Sequence, residues 1–457
     1  MGSKTSNLFA EFKPVSLSEW EEKMIKDLKG KSIESLNFKP EFDLSDKAYY
    51  HPSEFSNHAS SVGSDLNADN NDWSISQTFV DTNSKKTNFE ILKVLNEGVS
   101  GLKITITEDS NFQLLFNEVL IEHIFTHIIC LSTNDYKRFV QYLADTNTKV
   151  SMIEMPFLTK GLDKGTLTLN QLDIDNFVSD SAMYCTKNLV IDGYCFCQFG
   201  ASTAQELAIA LSQLNEYFQR LSNQKIHVER LHEKIALHLG ITDNYFVNIS
   251  KFRAVKELVL QLQEQWSMVT DTMPWTSGET VLRHMAVNDR HNNVLRQTTS
   301  AMAAVIGGVD QLVIRPYSEL TENDKDLSNR LSKNIQLILK EEAFLNQVID
   351  PGAGSYAIES LTNQLIEKAW DYFLQIENEG GYYDAIDNGF IHSLIEKSKK
   401  EMINDLSNGA KTLLGVNKFQ NSAENWREPA DVAMGPNTDF KSFSAFNLES
   451  HFENPEV

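Results

Sequence analysis

From Trp73 onward, short apolar runs alternate with longer amphipathic ones, and this rhythm limits the fold more than any other feature of the sequence. "WSISQTF", "GLKITI", "HIICLS", "KVSMIE", "KIALHLG" and "DQLVIRP" have the length and β-branched content of strands. Between them lie helical patterns such as "NFEILKVLNEG", "NFQLLFNEVLIEHIF", "DYKRFVQYLADT", "STAQELAIALSQLNEYFQRL" and "NNVLRQTTSAMAAVIGG". Several strands are almost continuously apolar, as strands covered on both faces must be. With a less regular strand near "VTDTMPWTSG", about eight strands fall between Trp73 and Pro316. No glycine-rich dinucleotide turn follows the first strand, so a parallel (β/α)8 barrel fits better than an open doubly wound sheet.

The segments outside 73–350 read differently. In 1–72, "SLSEWEEKMIKDLKG" is a helix starting at Ser18 and ending at Gly30, with Trp20, Met24 and Leu28 four apart on one stripe. Pro40 to Asp72 is rich in Ser, Asn and Asp and reads as an extended arm or surface loop. In 351–457, "SLTNQLIEKAWDYFLQIENEGG" and "FIHSLIEKSKKEMI" are helices, followed by a tail of little periodicity.

Composition narrows the function. A net charge of -22 repels nucleic-acid phosphates and anionic membrane surfaces, so neither is expected as a partner. Four cysteines in 457 residues cannot build a disulfide scaffold. With no apolar stretch long enough to span a bilayer and no leader-like start, the cytoplasm is the expected location.

Few motifs survive inspection. In "IDGYCFCQFGA", strand geometry would put Cys195 and Cys197 on one face and Phe196 on the other. No C-x-x-C or nearby His completes a zinc set, so buried thiols are the plainer reading and no metal is expected. "KGKS" at 29–32 lacks the first glycine of a phosphate loop. His123 and His127 read as ordinary packing, and Glu341 and Glu342 as solvated helix residues.

Three stretches carry a resemblance: "TSAMAAVIGGVDQLVIRPYSE", "NRLSKNIQLILKEEAFLNQVIDPGAGSYAIESLTNQLIEKAW" and "GAKTLLGVNKFQNSAEN". In them the chain resembles the cobalamin-dependent acyl-CoA mutases, methylmalonyl-CoA mutase in particular, from Trp20 to about Asn425. The resemblance implies a barrel threaded by acyl-CoA, with adenosylcobalamin delivered to its C-terminal mouth by a separate flavodoxin-like domain. Catalytic members read S-G-Y-H-M-Q-E-A-G-A where this chain reads "DGYCFCQFGA", so Cys195 stands in place of the catalytic His. A thiol is a poor hydrogen-bond donor by comparison. At the first strand, Y-x-x-R-P-W-T-x-R-Q aligned on Trp73 puts Ala68 in place of Tyr, and Asn71 and Ser76 in place of the two Arg. The D-x-H-x-x-G loop that supplies the lower cobalt ligand occurs nowhere in the chain, which stops near where that domain's linker would begin.

The resemblance therefore implies a non-catalytic small subunit that binds no cofactor. Its partner would be a large catalytic subunit carrying adenosylcobalamin and acting on acyl-CoA, embraced by the helix bearing Trp20, Met24 and Leu28. Two alternatives stay open: an active barrel using cobalamin held by another chain, and a stand-alone acyl-CoA-binding or scaffold barrel.

Overall fold

The computed structural model describes residues 13, 15–54, 70–162, 171–223, 231–268, 272–321, 324–421, 443 and 445–452. Its strands are β1 Ser74–Val80, β2 Gly101–Ile106, β3 Phe125–Cys130, β4 Val150–Glu154, β5 Cys185–Lys187, β6 Leu189–Asp192, β7 Ile235–Ile241, β8 Trp275–Thr280 and β9 Gln311–Val313. The helices are α1 Leu17–Asp27, α2 Ser84–Asn96, α3 Phe112–Leu115, α4 Thr133–Thr146, α5 Gln171–Ser181, α6 Tyr194–Gln198 and α7 Thr203–Asn223. They continue as α8 Tyr245–Gln265, α9 Asn292–Ile306, α10 Lys325–Leu337, α11 Tyr356–Asn378, α12 Tyr382–Asp387 and α13 Phe390–Ser407.

All neighbouring strands are parallel, in the order β5-β4-β3-β2-β1-β9-β8-β7-β6. The two ends of that order are consecutive in the chain and separated by Asn188 alone. Residues 185–192 thus act as one bent stave that pairs with β4 before the bend and with β7 after it. The ring closes with eight staves, and the (β/α)8 barrel is present. Asn188 makes the bend tolerable: its amide nitrogen donates to Val178 O at 3.0 Å and Ser181 Oγ at 2.8 Å, and its backbone N–H donates to Lys234 O at 3.2 Å.

Strand residues alternate between the helical layer and the lumen. Leu102, Ile104, Ile128, Ile191, Leu237 and Leu239 are fully buried and join the main core outside the sheet. Helices α7 and α8 are buried along nearly their whole length because α11 lies across both as a further layer. This layer explains the distinctive stretch around "VIDPGAGSYAIES": the buried Arg253 of α8 donates to Glu359 at 2.8 Å and Asp350 at 3.1 Å, pinning the entry to α11.

Several local expectations are corrected. "NFQLLFNEVLIEHIF" is helical only over Phe112–Leu115; Glu118 takes a left-handed φ of 60°, which ends any helix, and Val119 and Ile121 are buried as loop residues. The cap of α1 is Ser16, not Ser18: its hydroxyl accepts from the Glu19 amide and Glu19 bonds back to the Ser16 amide. Gly30 does take the left-handed conformation, with φ 92°. Helix α5 went unread because "QLDIDNFVSDS" is rich in residues that favour caps and turns.

Part of the supposed arm is tightly packed. Glu41 accepts from both the amide and hydroxyl of Thr203 at 2.8 Å, Asp43 accepts from Ser202 Oγ at 2.9 Å, and Leu44 is buried. These carboxylates cap α7, where the helix dipole favours negative charge. Burial, followed by the neighbouring Glu41 charge, lifts the Asp43 pKa from 3.8 to about 6, with Ser202 and Lys368 opposing. A raised carboxyl contributes stability that is complete below the unfolded pKa and lost as pH rises through the folded one. This group should therefore reduce stability by at most about 3 kcal/mol between pH 4 and 6. Asp43→Asn should flatten that slope in denaturant titrations run across this range; an unchanged slope would refute the assignment.

Candidate functional site in the barrel lumen

Each stave contributes side chains to the lumen, and several of them meet across it. Towards the N-terminal end, Phe125 of β3 and Trp275 of β8 stack across the interior at 4.9 Å and 8°. Met152, Val190 and Ala236 pack around them as a separate small core.

Above this aromatic pair lies a charged layer. Lys103 Nζ donates to Glu279 Oε2 and to His238 Nε2, both at 2.8 Å. An ammonium can only donate, so His238 accepts at Nε2 and carries its proton at Nδ1, 3.1 Å from Ser277 Oγ. Ser277 donates to Gln311 Oε1 at 3.0 Å, and Gln311 Nε2 donates to Ser76 Oγ at 2.9 Å. The hydrogen bonds therefore run in one direction from β2 through β7, β8 and β9 to β1. Arg315, just beyond β9, donates to Glu279 Oε1 at 3.0 Å and pairs with Glu319. Burial raises the Glu279 carboxyl, but Lys103, with Arg315 adding its charge, holds it well below the usual range.

On the other side of the lumen, His127 Nε2 lies 2.7 Å from Glu154 Oε2, and both are buried. Burial keeps the His127 imidazole below its usual range despite that carboxylate, so it stays neutral and donates through Nε2. Asp192 ends β6 beneath the mouth, its pKa raised by burial and by the Glu154 charge.

The structure separates the residues singled out in the sequence. "DGYCFCQ" is not a strand: Leu189–Asp192 is followed by α6, so Cys195 and Cys197 do not share a face. Cys195 sits at the C-terminal mouth; its amide donates to Asp192 Oδ1 at 3.1 Å and its thiol to Asp192 O at 3.5 Å. Burial, then the Asp192 charge, lifts this thiol well above its ordinary pKa and keeps it neutral. Cys197 is fully buried against Gly240, where an added Cβ would lie 2.6 Å from its sulfur. Both are free thiols.

Ser76 faces the lumen, whereas Asn71 lies at the opposite end and donates to Val305 O at 2.7 Å. Ala68 lies outside the described residues. Trp20 is exposed and Met24 and Leu28 are half-buried on a helix with no buried residue; the Trp20 ring approaches Tyr49 at 6.0 Å. His123 is on the surface while His127 is in the lumen, and Glu341 and Glu342 are exposed. Among the described residues no three His, Cys, Asp or Glu side chains converge on a metal position. Nor is any helix among them long and apolar enough to cross a membrane.

Lys103, Glu154, His238, Glu279 and Arg315 were not singled out from sequence, and His127 was read as ordinary packing. Their signal was a lone charged or imidazole residue inside an otherwise apolar strand, as in "GLKITI", "THIIC" and "IALHLG". A sheet covered by helices has only its lumen face for such a group.

Comparison with known proteins places this architecture. The methylmalonyl-CoA mutase family model matches residues 155–449. The chain belongs to the methylmalonyl-CoA mutase family. The methylmalonyl-CoA mutase small subunit of Porphyromonas gingivalis is 29% identical over 467 residues, covering 95% of this chain and 74% of that protein. A protein of Mycobacterium tuberculosis named as a probable methylmalonyl-CoA mutase small subunit is 26% identical, covering 79% of this chain and 61% of its own length. The methylmalonyl-CoA mutase of Rhizobium meliloti is 30% identical over 284 residues, 60% of this chain but 39% of that protein. Within the methylmalonyl-CoA mutase family, then, this chain spans much less than the full length of the R. meliloti relative.

Proposed function

We propose that this chain is the small, non-catalytic subunit of a methylmalonyl-CoA mutase. It would support a large subunit that binds adenosylcobalamin and interconverts (R)-methylmalonyl-CoA and succinyl-CoA. The observation that carries this reading is the set of side-chain contacts that cross the lumen. Phe125 and Trp275 span the interior and the Lys103–Glu279–Arg315 ion pairs occupy the layer above, where a threaded acyl-CoA would need open space. Cys195, neutral and turned onto Asp192 O, supports it: at the position where catalytic relatives carry His, it offers no imidazole to a thioester carbonyl. The names of the P. gingivalis and M. tuberculosis relatives point the same way.

The residues present do not fit cobalamin. Within the lumen a lower cobalt ligand would need a free imidazole, but His127 and His238 are buried and engaged there, and the D-x-H-x-x-G string does not occur in the sequence. The cofactor is therefore assigned to the partner, and no step of the rearrangement is routed through this chain. Trp20, Met24 and Leu28 would face that partner.

The test is to co-express the chain with a complete large subunit and, separately, to combine it with an isolated cobalamin-binding domain and adenosylcobalamin. Stable co-purification is expected in the first case and no succinyl-CoA formation in the second. Cys195→His should leave the second assay silent, because one imidazole neither removes the contacts across the lumen nor restores the first-strand groups. Turnover by this chain with only the isolated domain would overturn the proposal.

A further inference from the structure

The seam between β1 and β9 is short. The strands pair only over Ser74–Ser76 and Gln311–Val313, after which the chain leaves the sheet on the β9 side. Between this seam and α10 lies a cavity of about 350 Å³ with mixed walls, aliphatic at Ile75, Val99 and Val313 and polar at Ser76, Arg315 and Lys333. Two polar atoms in its lining have no partner among the described residues: Thr78 Oγ1 and Gln336 Oε1, the latter on a residue only 1% exposed. Leaving a buried acceptor unpaired is costly, so its persistence needs an explanation such as a bound group.

The cavity continues, through Gln77, Asn329 and Lys333, into a groove of about 1080 Å³ between α2 and α10. In a chain of net charge -22, this groove is unusual, because five lysines and arginines line it against three carboxylates. Three of those cations, Lys333, Lys93 and Arg330, act on one carboxylate, Glu97, which is hydrogen-bonded by Lys333. Lys93 and Arg330 have no ion-pair partner of their own among the described residues. Local positive charge is thus left over beside a cavity of mixed polarity whose lining includes Gln336, with its unpaired amide oxygen.

We propose that the α2–α10 groove and the adjoining cavity bind a small phosphomonoester, with its phosphate at Lys93 and Arg330 and an aliphatic, hydroxyl- or amide-bearing remainder reaching Gln336. Its cavity shares Ser76 and Arg315 with the lumen layer, and its groove lies between α2 and α10. Guanidinium and ammonium groups suit a dianionic phosphate, and the adjoining cavity offers both aliphatic and hydrogen-bonding wall groups, as small-molecule pockets do.

The test uses the intact chain and two probes in calorimetric titrations, inorganic phosphate and 4-hydroxybutyl phosphate. The ester should bind about tenfold more tightly than phosphate because its methylenes leave water. The double variant K93Q/R330Q, altered at exposed positions, should weaken both probes about tenfold. Gln336→Leu should weaken only the ester, by about tenfold, since phosphate alone does not reach the amide. Raised ionic strength should weaken binding further. The proposal fails if neither probe binds at millimolar concentration, if K93Q/R330Q binds as the parent does, if the ester gains nothing over phosphate, or if Gln336→Leu leaves the ester unaffected.

Discussion

Lys251→Met should cost about 3–5 kcal/mol of folding free energy. Lys251 on α8 donates to Glu206 Oε2 of α7 at 2.6 Å and to Gly240 O at 2.7 Å, and both side chains of the pair are 0% exposed. Methionine nearly conserves the volume, so packing changes little. What is lost is the cation paired with a carboxylate that then keeps, among the described residues, one 2.7 Å hydrogen bond, from the Gly240 amide. Adding Glu206→Gln to the variant should recover most of the loss, because the stranded charge rather than the missing contact dominates the cost. Urea midpoints of the two variants decide the matter; equal midpoints for Lys251→Met and the parent would exclude the argument.

Lys103→Met should be comparably severe, about 3–5 kcal/mol at neutral pH, and should carry a pH signature. Without Lys103, the buried Glu279 keeps Arg315, and the His238 acceptor loses its donor. Glu279 is held well below the usual carboxylate range, so its contribution is present above the unfolded pKa and disappears as pH falls through the folded one. The gap between parent and variant should therefore be widest at neutral pH and narrow below about pH 4.5. A gap independent of pH would mean that packing, not charge, is what Lys103 supplies.

The outer half of the fold was legible because its determinants are local. "GLKITI" is β2 residue for residue, and "KIALHLG" lies within one residue of β7 at either end. The misreadings share a cause. "YCFCQ" has the composition of a strand, but the close approach of Cys197 to Gly240 requires the chain to turn into α6, and that constraint lies more than forty residues away. Likewise, the left-handed Glu118 that ends α3 leaves no mark in a hydrophobic pattern.

The candidate site was half legible. Cys195 stood out against the pattern of relatives, and it does lie at the mouth. The lumen network did not stand out, because its members come from different staves and no two are neighbours in sequence. Only closure of the ring brings Lys103 to a glutamate 176 residues away.

Closure at Asn188 also governs how the barrel can deform. A ring of parallel strands can widen only by parting two neighbours, and most seams are parted by breaking hydrogen bonds alone. Between the half-barrel that ends at Lys187 and the one that begins at Leu189, the staves are joined by a single covalently linked residue, so those halves cannot drift apart. The opposite seam, with three paired residues on β1 and three on β9, has no such tether. The molecule is thus hinged on one side and latched on the other, and the latch is flanked by the cavity whose lining includes Gln336.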